Sequence, residues 1–277
     1  MNAEPVDVII PYSPEHTPER LRARAVESVR SQTISAEPIV VTDEQQRGVA
    51  WARNRGLDRS SHRFVAFLDA DDHWASKKLE VQMATLRESD TALCLTATER
   101  SDGSVTDVAA STATEFAAEV FLGSMASFTS SMVIDTKKTN VRFDETIYRL
   151  EDHLFALKAA RDGGYCYVDS ALTYVEKHEE GLSENENHEQ KLEAQERFHE
   201  EAIRLFPVLE KLSNRFWART YYHHGRHYYF DGEYLKSLDY LGRSFIEIPH
   251  LKPVGAFALS FVQYCWMSTS KCFRGFK

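Results

Sequence analysis

Residues 6–11, VDVIIP, form a nearly unbroken apolar run closed by proline, the mark of a buried strand. Residues 19–32 then place Leu21, Ala25, Val26 and Val29 at helical spacing, and PIVVTD at 38–43 reads as a second strand. A helical segment at 48–59 precedes RFVAFLDADD at 63–72, a third strand that ends in acids. Strands separated by helices of this length predict βαβ units and a parallel sheet, because parallel neighbours need a crossover. Ligands of such sheets bind beyond the carboxyl ends of the strands. Pro11, Tyr12, Asp43, Asp69, Asp71 and Asp72 fall there.

Farther along, a helix is expected over 76–88, strands over 93–99 and 130–135, and a polar turn over 101–111. Residues 150–160 read as a helix whose first turn holds Glu151 and Asp152, which complement the helix dipole. Short strands follow at 165–168 and 172–175. From about 190 onward strand signals vanish. Gly225, Tyr228, Gly232, Tyr234, Ser237, Leu241 and Ser244 match the spacing of one tetratricopeptide-like helix pair. A lone repeat cannot bury its own face, so helices at 189–206 and 254–267 are expected to flank it. The expected domains are an α/β unit at 1–185 and an all-α unit at 186–277.

Charge refines this division. The chain of 277 residues carries a formal charge of −9 and an acidic pI of about 5.7, which excludes a general nucleic-acid binder. Ten Glu against three Lys or Arg crowd residues 176–201, a solvated connection between the two units. Residues 211–277 reverse the sign, with ten Lys or Arg against four Asp or Glu. The apolar run 254–267 would span about 21 Å as a helix, short of a hydrocarbon core of roughly 30 Å. It caps the repeat, or it rests on an anionic leaflet as a peripheral contact; the capping reading is preferred. Cys94, Cys166, Cys265 and Cys272 form no CxxC pair, and the amino terminus has no signal-peptide pattern, so a cytoplasmic protein is expected, with the membrane's cytoplasmic face as the alternative.

The DADD cluster at Asp69, Asp71 and Asp72 is the strongest chemical signal. Carboxylates this close call for a hard divalent cation, magnesium or manganese, bridging a diphosphate. The competing reading is a solvated strand-end turn. Trp51 and Trp74 are expected to pack beside the sheet. The repeat-like spacing explains Tyr221, Tyr222, Tyr228 and Tyr229 as helix packing, which disfavours a metal site at His223, His224 and His227.

Five segments in series, VDVIIPYSPEHTPERLRARAVESVRSQT, PIVVTDEQQRGVAWARNRGL, FVAFLDADDHW, FDETIYRLEDHLFALKAARDGG and YVEKHEEGLS, resemble the family 2 glycosyltransferases of the inverting GT-A type. The resemblance covers roughly residues 5–185. It implies a Rossmann-like, mainly parallel mixed sheet flanked by helices, and transfer of a sugar from a nucleotide diphosphate, UDP foremost, to a glycan or lipid-linked acceptor. It implies that Pro11 and Tyr12 open the nucleotide pocket, that Asp43 meets the base, and that Arg53 and Asn54 approach the nucleotide and its phosphates. It implies ribose and metal contacts for Asp69 and Asp71 with Asp72 adjacent, a base at Asp152 with Glu151 as companion, and a metal- or diphosphate-side role for His178. Two departures, Thr42 in V-T-D-E-Q and an entry loop 13–18 without the common Tyr-Asn pair, leave the donor's base open. The alternatives are a metal-dependent nucleotidyltransferase, which should have glycine in its entry loop, and a degenerate transferase that only binds.

Overall fold

Strand β1 (Val6–Tyr12) is buried at every position but its last, so both of its faces are covered. On one side lies α2 (Val49–Arg59), where a Cβ on Gly56 would stand 2.3 Å from Ile9 Cγ2; the helix sits this close only because residue 56 has no side chain. β2 (Ala36–Thr42) and β3 (Phe64–Phe67) flank β1 in parallel, with α1 (Glu19–Arg30) as the first crossover. The chain leaves the sheet after Phe67, turns through Asp69–Asp72, and re-enters as β4 (His73–Trp74) against β8 (Tyr165–Val175). α3 (Lys78–Ser89), β5 (Leu93–Arg100), β6 (Val105–Thr106), α4 (Ala113–Phe121), β7 (Val133–Asp135) and α5 (Glu151–Gly163) complete the α/β layers.

The sheet order in this computed structural model is β2-β1-β3-β7-β5-β8-β4, with β6 on the edge of β5. β5–β8 is parallel, whereas β7 runs antiparallel to β3 and β5. The result is the expected mixed sheet flanked by helices. The structure describes residues 4–106, 110–123, 129–176, 188–249, 256, 258–260 and 263.

Two compact units are present, Met1–Pro207 and Val208–Lys277. The sequence pattern placed the division at 185/186, but α6 (His188–Leu205) packs with the first unit: Phe198 lies 6.3 Å from Phe121 and edge-on at 6.2 Å to His153. Of the acidic residues that suggested a connection, Glu189, Glu193, Glu196 and Glu200 lie on the exposed side of this helix, whose apolar stripe, Ala194, Phe198, Ala202 and Leu205, is buried. In the second unit α7 (Ser213–Phe230) and α8 (Tyr234–Glu247) form the expected pair, turned at Gly232 with φ of 79°. A Cβ at Gly225 would meet Leu241 Cγ at 2.7 Å, and Ser237 and Ser244 Oγ each donate at 2.7 Å to backbone oxygens of Gly225 and Ala218. His224 and Tyr228 stack on Tyr240, the packing role expected of these aromatics. Most of the 254–267 run lies outside the described residues, and no described helix is long and apolar enough to cross a membrane.

Lys78 is wholly buried at the start of α3, donating to Gln82 Oε1 at 2.6 Å with its Nζ 4.0 Å from the Trp74 ring centroid. Burial lowers this amine to about 7. An unfolded lysine titrates near ~10.4, so between those values the unfolded chain binds the extra proton and stability rises with pH. Lys78→Met removes that slope: its stability relative to the parent should be most favourable at about pH 6 and fall by about 2 kcal/mol by about pH 9. Urea unfolding at both pH values checks this, and parallel curves would refute it.

Candidate active site

Arg53 lies in α2 with only 4% of its side chain exposed. Its Nη2 donates to Asp69 Oδ1 at 2.8 Å and its Nη1 to Glu151 Oε1 at 2.7 Å, while the guanidinium covers the Phe143 ring at 5.2 Å. One planar cation thereby joins the acids after β3 to the first turn of α5. Burial opposes its charge, but Asp69, Glu151 and Asp152 outweigh it and hold the guanidinium above the ordinary arginine range. Burial and the Asp152 charge push Glu151 upward, with Arg53 pulling against them.

Asp152 is bonded through both oxygens. Oδ1 accepts the His153 backbone N–H at 2.8 Å and faces ring Nδ1 at 2.7 Å; Oδ2 accepts from Thr129 Oγ1 at 3.0 Å. Burial would raise this carboxyl, but His153 through its charge and hydrogen bonds, aided by Arg53, holds it below the usual carboxylate range. The group is therefore ionised at neutral pH, and 19% of its side chain remains exposed.

The next residue after Thr129 anchors the other half. Ser130 Oγ donates to Asp72 at 2.5 Å and accepts the Asp69 N–H at 3.0 Å, and its carbonyl accepts the Trp74 indole N–H at 2.7 Å. Asp72 also accepts the backbone N–H of Glu176. Burial, then the charges of Asp71 and Asp69, push Asp72 well above the ordinary carboxylate range. Arg24 of α1 donates to the Asp71 carbonyl at 2.9 Å and pairs with Glu176. Thr129 and Ser130, in a 3₁₀ turn before β7, thus hold both acid groups. The sequence pattern does not reveal them, because the hydroxyl run TSS carries no periodicity.

The remaining expected residues divide by what they touch. Asn54 takes the Phe143 N–H on Oδ1 at 3.0 Å and donates through Nδ2 to the Phe143 carbonyl and Glu145. Asp43 accepts the backbone N–H groups of Arg47 at 3.0 Å and Gly48 at 2.8 Å, shaping the loop that starts α2. Pro11 is buried and Tyr12 partly exposed at the carboxyl end of β1; burial and then a hydrogen bond to Glu19 raise the Tyr12 phenol. Trp74 is buried in the core from within β4, with Lys78 over its ring, and Trp51, half-buried, lies against Arg47. His178 lies outside the described residues.

Among the described residues no three His, Cys, Asp or Glu side chains gather into a metal-holding group. With Asp72 turned toward Ser130, the strand-end donors are Asp69, one-third exposed, and Asp71. One or two carboxylates suit a magnesium-like ion that completes its shell with substrate phosphates and water, so the donor set fits that group.

The fold is shared with S. aureus TarS. Residues 1–349 of TarS in complex with UDP-GlcNAc align over 90% of this chain and 82% of that one, with a TM-score of 0.62 at 18% identity. TarS 1–349 in complex with UDP aligns over 90% and 81%, with a TM-score of 0.57 at 18% identity. The class is therefore a GT-A α/β protein with added helices. Residues 13–153, half of the chain, match the family model described as Glycosyl transferase family 2, and the chain belongs to that family. It is similar to the "Putative teichuronic acid biosynthesis glycosyltransferase TuaG" of Bacillus subtilis (strain 168), 46% identical over 57 residues, which cover 21% of this chain and 23% of TuaG. It is also similar to the "UDP-Glc:alpha-D-GlcNAc-diphosphoundecaprenol beta-1,3-glucosyltransferase WfgD" of Escherichia coli, 43% identical over 51 residues, which cover 18% and 20% of the two chains. These matches span about a fifth of the relatives' length.

Proposed function

We propose that the protein is an inverting glycosyltransferase that moves a sugar from a UDP-sugar to a hydroxyl of a glycan or lipid-linked acceptor. The observation that carries this reading is the Arg53 bridge. It sets the strand-end acids, which suit a cation that binds a diphosphate, beside the α5 acids, which suit a hydroxyl proton. The UDP-GlcNAc bound by TarS and the UDP-Glc and diphosphoundecaprenol in WfgD's name support the donor and the lipid-linked acceptor.

In this reading Asp71, with Asp69, holds magnesium or manganese, which when bound offsets the charge that builds on the departing diphosphate. Asp69 is oriented by Arg53 and by Ser130 through its backbone. Asp72 locks the turn, and Arg24 pins it from α1. Asp152, kept ionised and aimed by Thr129 and His153, takes the acceptor proton as the hydroxyl attacks the sugar C1 from the face opposite the diphosphate. Attack from that face inverts the anomeric centre. Glu151 buttresses Arg53. The nucleotidyltransferase alternative gains no support from the entry loop 13–18, which has no glycine.

A thermal-shift panel of UDP-, GDP- and dTDP-sugars, each with and without manganese, tests the donor. At a hundredfold excess over Kd a bound ligand adds about 2.7 kcal/mol, several degrees for a domain of this size. UDP-sugars should raise the melting temperature with manganese, and Asp71→Ala should cancel the manganese-dependent component. No shift with any sugar nucleotide would overturn the reading.

A further inference from the structure

Cys94 and Cys166 are direct partners in the parallel β5–β8 ladder. Directly paired strands stand ~4.8 Å apart, inside the range of roughly 4.4–6.8 Å between Cα atoms that a disulfide spans. Both side chains belong to the cluster covered by α3, so they point to the same face of the sheet. Both thiols are free, Cys94 fully buried and Cys166 partly exposed where α3 ends. Cys94 Sγ donates to the Leu95 carbonyl at 3.7 Å, and near Cys166 the hydroxyls of Ser89 and Thr91 lie 2.9 Å apart.

We propose that Cys94 and Cys166 are an oxidisable pair, which a hydroperoxide converts to an intramolecular disulfide across β5 and β8 and a dithiol reverses. The Cys166 thiolate attacks an oxygen of hydrogen peroxide, the O–O bond breaks, and the protein gains a sulfenic acid as hydroxide leaves and takes up the proton that the thiol had released, departing as water. The Cys94 sulfur then attacks the sulfenic sulfur, the S–S bond forms, and hydroxide leaves with the Cys94 proton as a second water. Two thiols are oxidised and one peroxide is reduced to two waters. Roles follow from exposure: the reachable thiol reacts first and the buried neighbour resolves it. The neighbouring Cys94 thiol, against burial and with help from Ser89, Thr91 and Lys138, lowers Cys166 below the ordinary thiol range, which favours the reactive thiolate. The pair sits at the start of both strands, whereas Glu176, which bonds Asp72, follows the far end of β8. The inference is independent of the proposed transfer reaction.

The test uses the reduced 277-residue chain, treated with a few equivalents of hydrogen peroxide, blocked with N-ethylmaleimide, digested and mapped by mass spectrometry. The expected product is a Cys94–Cys166 linked peptide, two hydrogens lighter than the reduced pair and abolished by dithiothreitol. In Cys94→Ala, dimedone should capture at least about tenfold more Cys166 sulfenic acid than in the parent, because the resolving thiol is gone. Recovery of both cysteines as maleimide adducts overturns the proposal, as does sulfinic acid on Cys166 with Cys94 still alkylated. If Cys94→Ala fails to fold, the parent's linked peptide decides alone.

Discussion

Asp152→Asn should leave donor-dependent stabilisation unchanged while slowing sugar transfer by roughly 100- to 10,000-fold, the range lost with a general base. Asparagine is nearly isosteric, and its amide oxygen can still accept from the His153 N–H and ring nitrogen while its nitrogen turns to Thr129 Oγ1. The helix start therefore survives, and only the ability to take a proton is lost. Steady-state turnover at saturating donor and acceptor, paired with donor affinity by calorimetry, separates the two effects. Turnover within about threefold of the parent, far short of a lost general base, would remove Asp152 from that role; a matched loss of donor affinity would assign it to binding instead.

Arg53→Met should destabilise the first unit by about 3–5 kcal/mol, the usual cost of removing one member of a buried ion pair. The cost falls on what remains: Asp69 Oδ1 and Glu151 Oε1 lose their cation in a site where Asp152 is already charged. Glu151→Gln in the same chain should restore some of the loss, because the two residues are coupled. Arg53→Lys should fall between, since one ammonium cannot reproduce a fork aimed at two carboxylates. Urea unfolding at neutral pH reads the series, and a loss below about 1 kcal/mol for Arg53→Met would show that the bridge contributes little.

The first half of the chain was legible because its strands are buried on both faces and its crossovers are amphipathic, as β1, α1 and β2 illustrate. The same apolar run overstated β3. Leu68 still donates to the Ile9 carbonyl of β1 at 3.0 Å, but Ala70 is buried within the turn that presents the acids, since hydrophobicity reports burial rather than pairing. β8 reads as two strands in the sequence because Asp169 and Ser170 are polar and exposed; the ladder continues past them with a register shift near Ala97. α4 was missed although its signal was present, a Thr112–Glu115 capping box ahead of Phe116 and Val120. β4 and β6, two residues each, carry no periodicity to find.

At the site, residue types were legible and their partners were not. Arg53 and Asn54 were expected to face a nucleotide. Their hydrogen bonds within the chain reach residues as far away as Glu151 and Phe143, a separation that no local pattern encodes. Asp43 likewise uses both oxygens on its own loop. The ED pair fell where the sequence placed it, on the first turn of α5.

The Arg53 bridge also bears on the order in which ligands arrive. Its charge is already matched by Asp69 and Glu151, and the charge of Arg24 by Glu176, so neither guanidinium offers an unbalanced positive charge to an incoming diphosphate. Asp71 and Asp152 add further negative charge to the same mouth. On the proposed reading, a bare nucleotide diphosphate meets like charge there. The diphosphate should therefore enter with its charge already offset, the divalent ion bound first or carried in on the sugar nucleotide.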